Sequence, residues 1–288
     1  MNKLFEHTAS SWVRYKNYEW REKNGRLYLM PRKTAMPEIY DPMQCADDLV
    51  INALDIGLMI FRKAPQKEIQ NAILSFARKY GLLGLMAALP TTPKFVEYEK
   101  VYLPKNEFLR DEVMDTKQYI SLFFPFEKPQ FQKKGVESVW NETDKTMIAL
   151  VAAFQREPQA EVMSFLRYYG EPYDWLVRVF RDWAFTFMSA FLYYNDRKYL
   201  DEDSLRLYKL GMSAFDGNAP TYHIELRKVP TLVWDFHSLL VGIRMLFSLA
   251  LTDTKNPLRM CKNCQRAFIA QNSEDEFCSE HCKETYAE

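Results

Sequence analysis

The chain has 288 residues, of which 48% are hydrophobic and 15% aromatic, and its 38 basic residues balance 38 acidic ones. This apolar fraction excludes an intrinsically disordered chain, because it is large enough to form the core of one large domain or two smaller ones. Charges of both signs are interspersed, so the composition provides no overall basic field of the kind that attracts nucleic acid or an anionic membrane.

The first predicted elements are a hairpin and two helices. Residues 18–21 and 26–30 flank Asn24-Gly25, and Asn-Gly is the strongest short signal for a hairpin turn. From residue 44 to residue 61, apolar side chains recur at spacings of three and four, which predicts a helix. A second helix is expected to begin at Pro65 and to end near residue 80.

The remainder of the body is predicted to be mostly helical. The expected helices are 107–124, 143–156, 159–169, 173–195, 202–213 and 231–251, and the expected extended segments are 95–103 and 221–228. Asp201 and Thr231 are predicted to cap the last two helices, because their side-chain oxygens can accept hydrogen bonds from the first helical turn. No segment provides the ~20 uncharged apolar residues that a membrane span requires.

Four of the five cysteines lie in the last thirty residues, as Cys261-x2-Cys264, thirteen intervening residues and Cys278-x3-Cys282. Each pair can place two sulfur atoms ~2.3 Å from one metal ion, and two pairs complete a tetrahedron. The sequence therefore predicts a structural Zn²⁺ bound by four thiolates. One alternative stays open, because His281 adjoins Cys282 and could replace it as the fourth ligand.

Two other interpretations of the cysteines are weaker. A pair of disulfides would need an oxidising compartment, whereas residues 1–7 show no apolar signal region, so we expect the chain to be cytoplasmic. A thioredoxin-like redox site would need only one C-x2-C pair, in a βαβ context. The fifth cysteine, Cys45, is expected to be a buried and inert thiol.

The residues around the cysteines indicate the type of zinc module. Residues 260–269 fit a β-hairpin that carries the first cysteine pair in a knuckle. Ser279 is a good N-cap, and Glu280 in the next turn complements the helix dipole, so Cys282 would project from the start of a short helix. A hairpin knuckle and a helix N-terminus together form a treble-clef-like finger.

The predicted organisation is a mainly α body with a few short β-strands and hairpins, followed by the finger. The body is assigned to residues 1–254, with a hairpin subdomain at 1–42, and the zinc-finger module to residues 255–288. The linker 252–257 is short, so we expect the finger to pack against the body.

Catalytic motifs are missing from the sequence: it contains no Gly-rich phosphate loop, nucleophile elbow or His-Glu-x-x-His. His237 and Arg244 are seven residues apart on one predicted helix face, where they could line a pocket for an anionic ligand. The alternative is a boundary stripe of partnered side chains. The many aromatic residues could likewise line an apolar cavity, although core packing is their default role.

Several C-terminal segments follow one another in a recognisable order. They are the strand 222–227, the helix 231–251, Leu258-Arg259-Met-Cys261-x2-Cys264-x3-Phe268, and Phe277-Cys278-Ser279-x2-Cys282, with 49–55 as a further match near the start. Together they resemble the CGNR zinc-finger family, bacterial proteins with a mainly helical N-terminal region often called the ABATE domain. The resemblance implies a DNA-binding transcription regulator linked to stress.

The charge of the finger favours a different partner. From Lys255 to the end of the chain there are five Lys or Arg residues and six Asp or Glu residues, and Cys282-Lys-Glu-Thr stands where the family has Cys-Gly-Asn-Arg. Affinity for DNA is built largely from phosphate contacts with Lys and Arg. We therefore expect a non-enzymatic regulator or adaptor whose partner is a protein or small molecule. A DNA-binding regulator is the first alternative, and an enzyme or ligand sensor with an aromatic-lined cavity is the second.

Overall fold

The structure is a computed structural model that describes residues 12–84, 100–102, 113–127, 166–196, 199–213, 221–226, 228–235, 238–272 and 274–286. Within these residues the protein is mainly α-helical, with short antiparallel hairpin sheets, as the sequence predicts. The predicted helix 143–156 lies outside the described residues, and of the predicted helix 159–169 only 166–168 are described as helical.

The elements follow one another along the chain in two halves. The first half contains β1 Trp12–Tyr15, β2 Tyr18–Lys23, β3 Arg26–Pro31, β4 Pro37–Tyr40, a 3-10 turn Pro42–Cys45, α1 Ala46–Phe61, α2 Gln66–Tyr80, β5 Lys100–Tyr102, β6 Val113–Asp115 and α3 Thr116–Phe123. The second half contains β7 Glu171–Pro172, α4 Tyr173–Asp196, α5 Glu202–Ser213, β8 Thr221–Leu226, β9 Pro230–Asp235, α6 Leu239–Thr252, β10 Leu258–Met260, β11 Ala267–Ile269 and α7 Glu280–Tyr286.

The N-terminal hairpin forms at the predicted turn. Asn24 and Gly25 both have positive φ angles, 52° and 75°, as a two-residue turn between twisted strands requires. β2 pairs with β3, and β3 pairs in turn with the short β7. The turn is also tied to α4, because Arg26 donates two hydrogen bonds to the carboxylate of Asp174 at 3.0 and 2.6 Å.

Helix α1 is the centre of the body, since it contacts α2, α4, α6 and β11. Its closest neighbour is α4, and Gly57 lies where the two helix backbones approach each other. One continuous hydrophobic cluster joins side chains of β1, α1, α2, α4 and α6. The buried aromatic residues predicted to form a core do so here; examples are Phe76, Phe180 and Phe247.

A buried carboxylate fixes the segment that follows α2. Glu171 of β7 is fully buried and accepts hydrogen bonds from the backbone N–H groups of Leu83 and Gly84, at 3.1 and 2.6 Å. The hydroxyl of Tyr169 donates to the same carboxylate. Its charge is thereby compensated by hydrogen bonds, as burial of a polar group requires.

The predicted helix 107–124 is shorter in the structure. β6 pairs with β5, and α3 begins only after Asp115, whose carboxylate accepts from the backbone N–H groups of Lys117 and Gln118 at 2.9 and 3.1 Å. This side chain caps the helix and separates it from the strand. Residues 107–112 lie outside the described part.

The prediction that Thr231 caps a helix is wrong. Pro230–Asp235 forms β9, which pairs with β8, and the Thr231 hydroxyl donates to the carbonyl of Val229 at 3.0 Å. The β-branched and aromatic residues of β9 are close enough in sequence to β8 for a hairpin, and that pairing prevails over helical periodicity. α6 instead begins after Ser238, whose hydroxyl accepts from the Val241 N–H at 3.2 Å.

Two of the remaining helices match their predictions closely. α4 covers the predicted helix 173–195, and α5 is capped by Asp201, whose carboxylate accepts from the Ser204 N–H at 2.7 Å. Among the described helices, none combines the length and apolar character needed to cross a membrane.

Candidate metal centre

The hairpin of β10 and β11 carries the first cysteine pair and has two different faces. In its register Leu258 is opposite Ile269, and Met260 is opposite Ala267, so these four apolar residues share one face. Leu258 and Ala267 belong to the core of the body, and the other two pack against it. Phe268 lies on the opposite face and forms a separate small cluster around the cysteines. The alternation of side chains thus gives one hairpin two packing surfaces.

A tight knuckle follows β10 and is closed by two backbone hydrogen bonds. The Cys261 N–H donates to the carbonyl of Arg266, and the Gln265 N–H donates to the carbonyl of Cys261, both at 2.9 Å. Gln265 has a φ of 56°, in the left-handed region that non-glycine residues rarely adopt. This turn reverses the chain so that Cys261 and Cys264 point to the same side.

The second cysteine pair is positioned by helix α7. Ser279 is its N-cap, as predicted, because its hydroxyl accepts from the Cys282 N–H at 3.2 Å. Cys278 therefore precedes the helix and Cys282 lies in its first turn. The rings of Phe277 and Tyr286 lie 5.3 Å apart, so the residue before Cys278 contacts the last residue of this short helix.

The thirteen-residue spacer between the pairs is held by its own acidic side chains. The Asp275 carboxylate accepts from the backbone N–H groups of Gln271 and Asn272, at 2.9 and 3.0 Å. Glu276 accepts a backbone hydrogen bond from Lys262 through its carbonyl and forms an ion pair with the same lysine. Part of the negative charge of this spacer therefore has a structural role within the finger.

The four predicted cysteines converge on one point. The sulfur atoms of Cys261, Cys264, Cys278 and Cys282 all lie within 4.8 Å of one another. Cys278 Sγ is 3.6 Å from the sulfur of Cys264 and 3.6 Å from that of Cys282. A tetrahedron with metal–sulfur bonds of ~2.3 Å has sulfur–sulfur edges of about 3.8 Å. These separations fit a shared metal ion and are far longer than the ~2.05 Å of a disulfide.

Ionisation of the cluster is uneven. Burial opposes ionisation of Cys261, but three backbone N–H groups that donate to its sulfur lower its pKa to about 6. Partial desolvation and the neighbouring sulfur atoms raise the pKa of Cys278 to about 12, and partial desolvation also raises the pKa of Cys264. The surroundings of the cluster therefore favour the thiolate form of Cys261 and disfavour that of Cys264 and Cys278.

The finger contacts helix α1 through polar groups as well as through its hairpin face. Arg266 donates from Nε and Nη2 to Asp55 Oδ2, at 2.8 and 2.5 Å. The pKa of Arg266 is raised mainly by this hydrogen bonding and further by the nearby Cys264 and Cys278. Arg62, the residue after the end of α1, donates to the carbonyl of Gln265 at 2.6 Å. The knuckle is thus fixed to the centre of the body.

The other candidate residues lie elsewhere. His281 is exposed on α7, and its ring nitrogens are not among the metal-ligating atoms that cluster together in the described residues. The geometry therefore favours Cys282 as the fourth ligand. Arg244 is buried on α6, and His237 lies outside the described residues, so the proposed pocket for an anionic ligand stays a prediction. Cys45, which was expected to be buried, is half-buried in the structure, and desolvation raises its pKa. That this thiol is inert stays a prediction.

Sequence reasoning missed the partners of the finger on α1. Asp55 lies on α1 and Arg62 directly follows its last residue, and their spacing of seven residues, close to two helical turns, was the available signal. Nothing in the sequence indicates that these residues meet the knuckle, because Asp55 and Arg266 are separated by 211 residues.

The comparisons with known proteins give no relative for this fold or site. No protein-family model matches the chain, and no curated protein or solved structure gives a match. Functional interpretation therefore depends on the geometry of the cysteine cluster and its surroundings.

Proposed function

We propose that the four cysteines bind one Zn²⁺ as a structural centre. The observation that carries this proposal is the convergence of four sulfur atoms within 4.8 Å of one another on a hairpin knuckle and a helix start. Four thiolates in a tetrahedral arrangement are typical of zinc or of an iron–sulfur site. The C-x2-C and C-x3-C spacing on a treble-clef-like support favours zinc.

The role of the metal follows from its ligands. Four protein sulfur atoms would close the coordination shell, which leaves no position for water or substrate. The bound ion would therefore stabilise the finger and supply no catalytic chemistry. Phe268 and Ala270 form a cluster with the cysteines that is too small to be a core alone, so metal binding would supply much of the folding free energy of the finger.

For the whole chain we propose a regulator or adaptor that binds another protein. The supporting observation is the outer face of β8, where Tyr222, Ile224 and Leu226 are 63%, 65% and 78% exposed. Apolar side chains that alternate along one strand and remain exposed are typical of interaction surfaces. The acidic charge balance of residues 255–288 favours a protein partner over nucleic acid.

The metal assignment is tested by elemental analysis of the purified, untagged full-length chain. We expect close to one equivalent of zinc per chain and loss of most of it in Cys264→Ser. Cys45→Ser is the matched control, since it removes a thiol outside the cluster and should retain the metal. Less than a tenth of an equivalent of zinc in folded, reduced wild-type protein would refute the assignment. Iron in place of zinc would refute it as well and would identify an iron–sulfur site.

The partner class is tested with nucleic acid. A gel-shift titration of the full chain at physiological salt is expected to give only weak, sequence-independent binding. A sub-micromolar complex would instead support the DNA-binding role that the CGNR resemblance implies. In that case Lys262→Gln and Lys283→Gln should weaken the complex, because phosphate contacts require cations.

A further inference from the structure

The ion pair between Asp55 and Arg266 is unusual in its asymmetry. Arg266 Nε and Nη2 both donate to Asp55 Oδ2, while Asp55 Oδ1 is buried and has no hydrogen-bond partner in the described part of the chain. The Asp55 side chain is only 17% exposed, whereas that of Arg266 is 62% exposed. The negative charge of Asp55 is therefore compensated by one cation of the finger, Arg266. Arg266, in contrast, is exposed enough for water to solvate its charge if Asp55 is removed.

The same arginine lies beside the metal site. Arg266 follows Cys264 by two residues, and its carbonyl accepts the Cys261 N–H at 2.9 Å. A Zn²⁺ ion with four thiolates has a net charge of −2, so a positive charge at this position favours the occupied site. Arg266 thus stands between two negatively charged groups, one on α1 and one in the finger.

On the α1 side, this contact is close to a tight approach between α1 and α4. Asp55 is two residues from Gly57, where α1 meets α4 most closely. Arg62, which directly follows the last residue of α1, donates to the carbonyl of Gln265. Movement of the knuckle would therefore change contacts on a helix segment that is packed against the rest of the core.

We propose that the Asp55–Arg266 pair couples metal binding at the four cysteines to docking of the finger on α1, so that metal loss is transmitted to the central helix. This inference rests on the proposed zinc centre. Arg266 acts as a positioning residue: it neutralises part of the charge of the occupied site and compensates Asp55 in the docked state. Without metal the finger loses its main source of folding free energy, the knuckle shifts, and Asp55 loses its cation.

The coupling predicts unequal effects for the two partners. Asp55→Asn leaves an arginine that water can solvate, and we expect zinc affinity to fall three- to tenfold. Arg266→Gln removes the positive charge from the metal site and leaves a buried carboxylate uncompensated, so we expect a loss of more than tenfold and a larger fall in thermal midpoint. The double variant should lose less than the two single losses combined, because both changes remove the same interaction.

The measurements are zinc affinity, by competition with a chromophoric chelator, and hydrogen exchange, both on the full-length chain. In wild type, removal of zinc should raise exchange rates of α1 amides 55–61 at least threefold. In Asp55→Asn that dependence on zinc should disappear. Arg266→Lys keeps the positive charge but loses the planar set of guanidinium N–H donors. It should therefore recover part of the zinc affinity that Arg266→Gln loses.

Asp47→Asn is the matched control, because it removes one negative charge from an exposed position in the first turn of α1, eight residues before Asp55. Its zinc affinity should stay within twofold of wild type. If wild type binds zinc but Asp55→Asn and Arg266→Gln match this control, the coupling is refuted and the zinc centre stands. If α1 exchange in wild type is the same with and without zinc, the coupling is likewise refuted. If wild type binds no zinc, the proposed function itself fails.

Discussion

Gly57 of α1 lies directly against the backbone of Phe180 on α4. A Cβ atom built on Gly57 would stand 2.2 Å from the Phe180 carbonyl oxygen and 2.5 Å from the Ala184 Cβ. Neither atom belongs to a flexible side-chain end, so the helices can be this close only because residue 57 has no side chain. The central contact of the body therefore depends on one hydrogen atom in place of a methyl group.

We expect Gly57→Ala to destabilise the chain by about 1–3 kcal/mol, because the helices must separate to accept the methyl group. The expected loss exceeds the gain of up to ~1 kcal/mol that alanine gives in an unhindered helix. Urea unfolding of the full chain measures it. Gly170→Ala is the control, since its Cβ would meet nothing closer than 3.5 Å. A Gly57→Ala variant as stable as wild type would contradict this packing.

The knuckle offers a test of backbone strain. Gln265 has a φ of 56°, which costs an L-residue roughly 1 kcal/mol and glycine almost nothing. Gln265→Gly should therefore raise the thermal midpoint of the metal-bound chain, and Gln265→Val should lower it. Neither substitution removes the backbone groups that bond to Arg62 and Cys261. A lower midpoint for the glycine variant would show that chain flexibility outweighs the strain.

The features that sequence could predict are those whose causes are local. The Asn24-Gly25 turn, the Asp201 and Ser279 caps and the spacing of the four cysteines each depend on residues a few positions apart. The local sequence predicted a helix cap at Thr231, but this residue lies in β9, whose conformation is determined by pairing with β8. Local patterns could not predict the ion pair of Asp55, because its partner, Arg266, is 211 residues away in the chain.

The proposed zinc centre should lose its ion on acidification. Thiolate ligands must be deprotonated, and an ordinary cysteine has a pKa of about 8.5, so metal binding near neutrality displaces more than one proton. We expect zinc affinity to fall by at least tenfold per pH unit between about pH 8 and pH 6, measured by chelator competition. Cys45→Ser should follow the same curve as wild type. An affinity that is constant over this range would argue against thiolate ligands.

Tyr18 provides a second pH-dependent test, at the alkaline end. Burial raises its pKa, and its hydroxyl oxygen accepts from the Tyr15 N–H at 2.9 Å. A raised pKa in the folded state means that its contribution to stability is complete below the unfolded phenol value of about 10 and is lost as pH rises above it. At pH 7, Tyr18→Phe should cost about 1–3 kcal/mol, because it leaves a buried N–H without an acceptor.

Above about pH 10 this difference between Tyr18→Phe and wild type should shrink, because only wild type must keep the phenol protonated to remain folded. Urea midpoints of both proteins, measured in steps from neutral to alkaline pH, follow the difference directly. A deficit that stays constant through the phenol titration would mean that Tyr18 ionises in the native state without cost.

The β10–β11 hairpin contributes side chains to two separate hydrophobic clusters. Its inner face completes the core of the body, and its outer face completes the cluster around the cysteines. The finger therefore could not be transferred alone into another protein and dock there, unless the central helix of that protein offered the same apolar and acidic contact residues. Asp55 and Arg266, 211 residues apart, would have to be inherited together. Relatives that replace one of these residues are expected to replace the other.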